Sequence, residues 1–351
     1  MLYNTRNPHG GEVYSRPVAL DFSANINPYG MPPEVAEAVR QSVPLLSQYP
    51  DPYCRELVHA IAQHENVPEG MILCGNGAAD LIFALCAAEK PRRALLPVPS
   101  FSEYRSGLDA AGCEAEFFFL RESDDFALTQ DFLPALERFT GEMLMLCNPN
   151  NPTGQVICRP LMEQILQICR EKHIFLFVDE CFLDLTDGGD ALSLKDQLSS
   201  CENLLLLKAF TKSYGMAGLR LGYCLCGNPM LLERMGQMSQ AWNVSIPAQA
   251  AGVAALKQQR FLKQAAAVIQ KQRPVMTEAL RKMGMKVIPS QTNFLLFYSE
   301  KELREPLQER GILIRSCANY PGLTQGWYRV AVKLPEQNEK LILAMEEIVN
   351  G

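Results

Sequence analysis

The sequence predicts an α/β protein of two lobes, a large one on a buried, mostly parallel sheet and a smaller α+β one. Three observations predict it. Short, continuously apolar runs alternate with helix-period stretches over the first two thirds of the chain, and the texture changes to a long polar helix and scattered short strands past about residue 250. The length of 351 residues also exceeds one ordinary domain.

Residues 1–33 show little periodicity and are expected to form an N-terminal arm that packs on the small lobe or over the site. Residues 34–249 form the large lobe, with strand candidates at 71–74, 94–97, 116–120, 143–147, 174–178, 204–207 and 221–226. Most are too uniformly apolar to keep one wet face, as expected of a sheet covered by helices on both sides. Between them, Leu81, Ile82, Leu85 and Cys86 make one helical stripe, and Leu161, Ile165, Ile168 and Cys169 another. Residues 250–351 form the small lobe: a helix running through 264–271 to Leu280 and Met283, strands at 293–297 and 328–332, and a last helix with Leu341, Met345 and Ile348 on one side.

A net charge of -6 gives no general field for a polyanion, which argues against nucleic acid as main partner while leaving room for a locally basic site for a small anion. No run reaches the roughly 18 uninterrupted apolar residues of a membrane span, and the start lacks a basic region followed by an apolar run. The expected compartment is the cytoplasm, with no membrane partner. The 12 cysteines lie mostly in apolar stretches, without the paired spacing of zinc sites, and read as reduced core residues; no metal is expected.

Four segments carry candidate chemistry. Gly75-Asn76-Gly77-Ala78-Ala79-Asp80 follows a strand and opens a helix, where free amides and the helix dipole suit a phosphate; a plain strand-to-helix turn is the alternative. Asp80 replaces the third glycine of a dinucleotide fingerprint, and the phosphate-loop lysine is missing. The rigid turn Asn148-Pro149-Asn150-Asn151-Pro152-Thr153-Gly154 ends the 143–147 run, and Asn151 there can offer its amide to a ring oxygen. Asp179 ends another apolar strand and either meets a structural arginine or serves a protonated ring nitrogen. In Phe210-Thr211-Lys212-Ser213-Tyr214, Lys212 can be desolvated for Schiff-base chemistry, and Arg220 can grip a phosphate; a solvated lysine and a surface ion pair are the ordinary readings.

In combination and order, NPNNPTG, VDE and FTKSYGMAGLRLGY resemble the pyridoxal-phosphate (PLP) enzymes of the aspartate-aminotransferase fold, fold type I, over nearly the whole chain. The resemblance implies PLP as cofactor, with Lys212 as its Schiff-base lysine and Asp179 on the ring nitrogen. It further implies Asn151 on the ring hydroxyl, Tyr104 stacked on the ring, and Thr211, Arg220 and the amides of Ala78 and Ala79 around the phosphate. Tyr49 matches a tyrosine that reaches the partner subunit's phosphate, so a homodimer with shared active sites is implied.

Within the fold, His9, the segment around Asn25, Arg315 with Asn319, and Tyr328-Arg329 resemble threonine-phosphate decarboxylases of cobalamin synthesis, with histidinol-phosphate aminotransferases close behind. That implies a small phosphorylated amino acid as substrate, Asn25 lining its site, Arg329 on the carboxylate, and Arg315 and His9 on the phosphate. Read alone, each arginine can equally be a structural ion pair and His9 a solvated histidine. Phe182 stands where aminotransferases commonly carry a tyrosine, Ala209 where the fold usually offers a hydroxyl, and Ala217 where the decarboxylases commonly carry proline. Trp242-Asn243-Val244-Ser245 fits either subgroup, and Trp242 reads as a packed tryptophan.

Overall fold

The computed structural model describes residues 9–351, so the first eight positions of the expected arm lie outside the described residues. The arm contributes β1 (Leu20–Asp21). The large lobe contributes β2 (Ile72–Gly75), β3 (Arg93–Val98), β4 (Glu114–Phe119), β5 (Met143–Cys147), β6 (Phe175–Asp179), β7 (Leu204–Ala209) and β8 (Gly222–Cys226). These form one seven-stranded sheet in the order β2-β8-β7-β6-β5-β3-β4. Its neighbours run parallel except at β8, which is antiparallel to both β2 and β7.

Continuous apolar strands are needed because both faces are covered. Leu144, Leu146, Leu176 and Val178 enter one core, while Met143, Met145, Phe175 and Phe177 enter the core on the opposite face. Helix Arg159–Glu171 lays Leu161, Met162, Ile165 and Cys169 on the first face, and helix Ala78–Glu89 lays Ile82, Leu85 and Cys86 on the second. Only the edge strand β4 is largely uncovered.

The small lobe contributes β9 (Lys286–Val287), β10 (Phe294–Tyr298), β11 (Ile312–Leu313), β12 (Arg315–Ser316) and β13 (Trp327–Ala331). Four of them form an antiparallel sheet in the order β12-β13-β10-β9, and β11 pairs in parallel with β1, which fastens the arm to this lobe. The 249/250 boundary expected from the sequence falls inside helix Ile246–Ala255, whose buried Ala248, Ala251 and Ala255 pack in the large-lobe core. The core changes along the next helix, Gln259–Lys282: Leu262 belongs to the large lobe's cluster, and Ala265 and Ile269 to the small lobe's. All cysteines are free, and all are buried except Cys158, which is exposed just ahead of helix Arg159–Glu171.

Candidate active site

Strand register brings the candidate residues to one end of the sheet. Cys147 of β5 pairs with Asp179 of β6, and Asp179 with Leu207 of β7. The turn carrying Asn151, the Asp179 carboxylate and the short helix Phe210–Ser213 carrying Lys212 therefore leave the sheet side by side, at the carboxyl ends where open α/β sheets bind ligands. A cavity of about 380 Å³ opens there. Its walls include His9, Asn25, Ala78, Ala79, Tyr104, Asn151, Asp179, Thr211, Lys212, Arg220, Arg315 and Arg329.

At one end, Gly77 precedes helix Ala78–Glu89 with φ 82 and ψ 165, a conformation nearly confined to glycine. A Cβ on it would stand 2.5 Å from Arg220 Nη2. Gly222, paired with Gly75 across β2–β8, permits a second close approach, since its Cβ would stand 2.7 Å from the Ala78 amide nitrogen. Asp80 fastens the turn: its Oδ2 accepts from the Asn76 amide at 2.9 Å and from Asn243 Nδ2 at 2.8 Å. The residue standing in place of a third glycine thus braces the loop, with a guanidinium and two helix-start amides at one spot.

At the centre Tyr104, expected to stack on the ring, is fully buried and donates its hydroxyl to Asp179 Oδ2 at 2.6 Å, and the Cys181 amide donates to Oδ1 at 2.9 Å. Burial pushes the Asp179 carboxyl up, opposed by those hydrogen bonds and by the Lys212 charge. Among the described residues no arginine, lysine or histidine forms an ion pair with it, so it is not the structural partner of an arginine. Burial, followed by the Arg329 charge, pushes the Lys212 ammonium down to about 8. Its Nζ lies 5.6 Å from the centre of the Phe182 ring, and it is not on a solvated face.

On the opposite wall, Arg329 is 5% exposed; Nη1 donates to Asn151 Oδ1 and Nη2 to the Ser23 carbonyl at 2.7 Å. Among the described residues neither its Nε nor either side-chain polar atom of buried Asn25 has a hydrogen-bond partner. Buried polar atoms left this way at a cavity call for a ligand or water. Arg315 donates to the Ser316 carbonyl and, at 2.6 Å, to Asn319 Oδ1, and lies over the Tyr320 ring. His9 Nε2 bonds to Glu103 Oε1 at 2.9 Å.

Tyr49 is not brought to this cavity. It is 76% exposed and stacks on Trp242 with ring centres 4.4 Å apart. Trp242 is itself 47% exposed, which corrects the expectation of a packed core residue: at φ 59 in the loop between helices Pro229–Met238 and Ile246–Ala255, it lays its ring on Tyr49. Glu103, one residue before Tyr104 on helix Ser102–Ala110, also lines the cavity, and nothing in the local sequence marks it.

Behind the site lies a buried ionic cluster that no motif announces. Lys208 sits 3.2 Å from Glu65 and 3.7 Å from Glu180; Tyr223 donates to Glu65 at 2.5 Å, and Lys195 bridges Glu65 and Asp190. The cations hold the Glu65 carboxyl down to about 2 against its burial. This cluster fixes the ends of β6 and β7, one residue from Asp179 and four from Lys212.

Residues 17–345 match the aminotransferase class I and II family. The chain belongs to that family. It is 37% identical to the threonine-phosphate decarboxylase of Salmonella typhimurium, covering 100% of this chain and 98% of that one. It is 35% identical to a histidinol-phosphate aminotransferase of Desulfitobacterium hafniense, covering 96% of this chain and 94% of the relative. Among solved structures, the histidinol-phosphate aminotransferase from Clostridium acetobutylicum superposes with a TM-score of 0.86 at 28% identity, covering 94% of this chain and 99% of that one. The fold is that of the aspartate aminotransferases, and the protein is a PLP-dependent enzyme of this family. The residues present fit that cofactor: a glycine cradle closed by Arg220 for a phosphate, a buried carboxylate with no ion-pair partner among the described residues for a pyridinium, and a lysine of depressed pKa for an aldehyde.

Proposed function

We propose that the enzyme decarboxylates O-phospho-L-threonine, or a closely similar phosphorylated amino acid such as phosphoserine, to the amino alcohol phosphate, as a cytoplasmic homodimer in cobalamin synthesis. The observation that carries the reading is the pair of anion stations on one cavity, buried Arg329 beside Asn25 and Arg315 beside His9. Together they match a substrate with a carboxylate at one end and a phosphate at the other. The similarity to the Salmonella decarboxylase supports the choice of reaction.

When bound, PLP supplies a ring that accepts the electron pair left at the substrate's α carbon. Arg220 and the amides of Ala78 and Ala79 would hold its phosphate, Thr211 would add a hydroxyl, and Asp179, its carboxylate oriented by the Tyr104 hydroxyl, would serve its ring nitrogen. Because Asn151 Oδ1 is engaged by Arg329, its NH2 is the end left to meet a ring oxygen. Phe182 offers no hydroxyl there. Arg329, pinned by Asn151 and Ser23, fixes the substrate carboxylate and so decides which α-carbon bond is broken. In decarboxylation the bond to the carboxylate carbon breaks, carbon dioxide leaves, and the α carbon takes a proton in its place; Lys212 is placed to deliver it.

Two copies would share their sites through the exposed apolar surface around Leu45, Leu46, Tyr49 and Tyr53, which carries Tyr49 toward the partner. Purified enzyme given phosphothreonine is expected to release carbon dioxide without a keto acid. Keto-acid-dependent amino transfer, from phosphothreonine or from histidinol phosphate, without gas release would reject the lyase in favour of an aminotransferase. Colour change on adding substrate without any product would mark a sensing member of the fold, a reading opposed by the joint presence of Lys212, Asp179 and Arg220 at the cavity.

A further inference from the structure

The contact between His9 and Glu103 joins two different parts of the protein. His9 belongs to the arm, which is tied to the small-lobe side: the Gly11 amide donates to Ser23 Oγ at 2.7 Å, Arg329 donates to the Ser23 carbonyl, and β1 pairs with β11. Glu103 lies in the first turn of helix Ser102–Ala110 of the large lobe, one residue before Tyr104. The 2.9 Å bond, with Phe101 packed 5.7 Å from the imidazole, spans the cleft at the cavity wall. Glu103 is also an acid among the arginines of a cavity read as binding an anion, and its side chain is only 19% exposed. Left to itself, a half-buried carboxylate in that position repels a phosphate dianion.

We propose that Glu103 is a positioning and specificity residue: it holds the His9 imidazole across the cleft, so that phosphorylated amino acids are met by His9 and Arg315 and the carboxylate's own repulsion is masked. The inference rests on the phosphorylated-substrate reading above. Its signature is a sign reversal. Glu103 favours binding while His9 is present and opposes it once His9 is gone, which a merely structural glutamate would not do.

The test uses the PLP-loaded enzyme and two readouts. Calorimetry follows binding of 3-phosphoglycerate, which carries the carboxylate and phosphate but no reactive amine, against glycerate, which lacks the phosphate. Steady-state kinetics follow phosphothreonine. Glu103→Gln is expected to raise KM about tenfold with kcat within about twofold, and to weaken 3-phosphoglycerate but not glycerate. His9→Ala is expected to cost more, roughly a hundredfold, and His9→Ala/Glu103→Gln to recover about tenfold of that loss. An unchanged visible spectrum and melting temperature establish that the variants are folded and loaded. If the wild type binds 3-phosphoglycerate no more tightly than glycerate, both the substrate reading and this inference fail. If the wild type discriminates and the double variant is no better than His9→Ala, the inference alone is overturned.

Discussion

Replacing Gly77 by alanine separates the cofactor cradle from the rest of the fold. The backbone at φ 82 and ψ 165 costs an L-residue roughly 1–3 kcal/mol, so unfolding of the apoprotein should become easier by about that amount. The new methyl carbon would stand 2.5 Å from Arg220 Nη2 and 3.0 Å from Cζ, inside contact distance. Because those atoms are the far end of a flexible chain, the guanidinium moves before the backbone does, and it moves away from the start of helix Ala78–Glu89. Losing one charge-assisted contact to a phosphate forfeits about 1.5–3 kcal/mol, a factor of ~10–150 in the dissociation constant. Titrating apoprotein with PLP and following visible absorbance measures that factor, while urea unfolding of the apoprotein measures the backbone strain. A variant that binds PLP within twofold of wild type would refute the argument that Gly77 exists to let Arg220 close on the phosphate.

Borohydride reduction of the holoenzyme followed by peptide mapping is expected to fix the cofactor on Lys212, and Lys212→Ala to abolish turnover while the melting temperature changes little; label at another residue would overturn the assignment. In the apoprotein the Lys212 amine, depressed to about 8, should react with an acylating reagent with half-maximal rate near pH 8, whereas surface lysines respond about two units higher. Glu65, held down to about 2, contributes stability that is present above the ordinary carboxylate range and lost as pH falls through the folded value. Glu65→Gln should therefore flatten the stability profile between about pH 4.5 and 2 and, by removing the nearest carboxylate to Lys208 while Glu180 and Asp190 remain, cost roughly 1.5–3 kcal/mol at neutral pH in urea unfolding. In a homodimer with shared sites, Tyr49→Ala weakens PLP binding without touching the same subunit's cavity, and mixing it with Lys212→Ala gives dimers carrying one intact site; no recovered activity would argue against sharing.

What the sequence made legible and what it hid follow different physics. Strands β5, β6 and β7 announce themselves because a covered parallel sheet needs apolar residues at every position, and Lys212, Asp179 and Asn151 announce themselves because each interrupts or ends such a run with a group that burial penalises. Asp80 was visible only as a missing glycine; its bonds to the Asn76 amide and to Asn243, 163 residues away, belong to tertiary structure. Glu103 and the Glu65–Lys208 cluster were silent for the same reason. Charged residues on helices are ordinarily solvated, and no local pattern marks the one that meets His9 across 94 positions or Lys208 across 143. Trp242 misled because a large aromatic residue is more often core than surface, whereas here it supports Tyr49 on an outer face. Local chemistry therefore shows which groups will touch the cofactor, while the groups that orient them emerge only when the chain is folded. That is why variants of Gly77, Glu103 and Glu65 probe the architecture of the site, and variants of Lys212 and Asp179 only its chemistry.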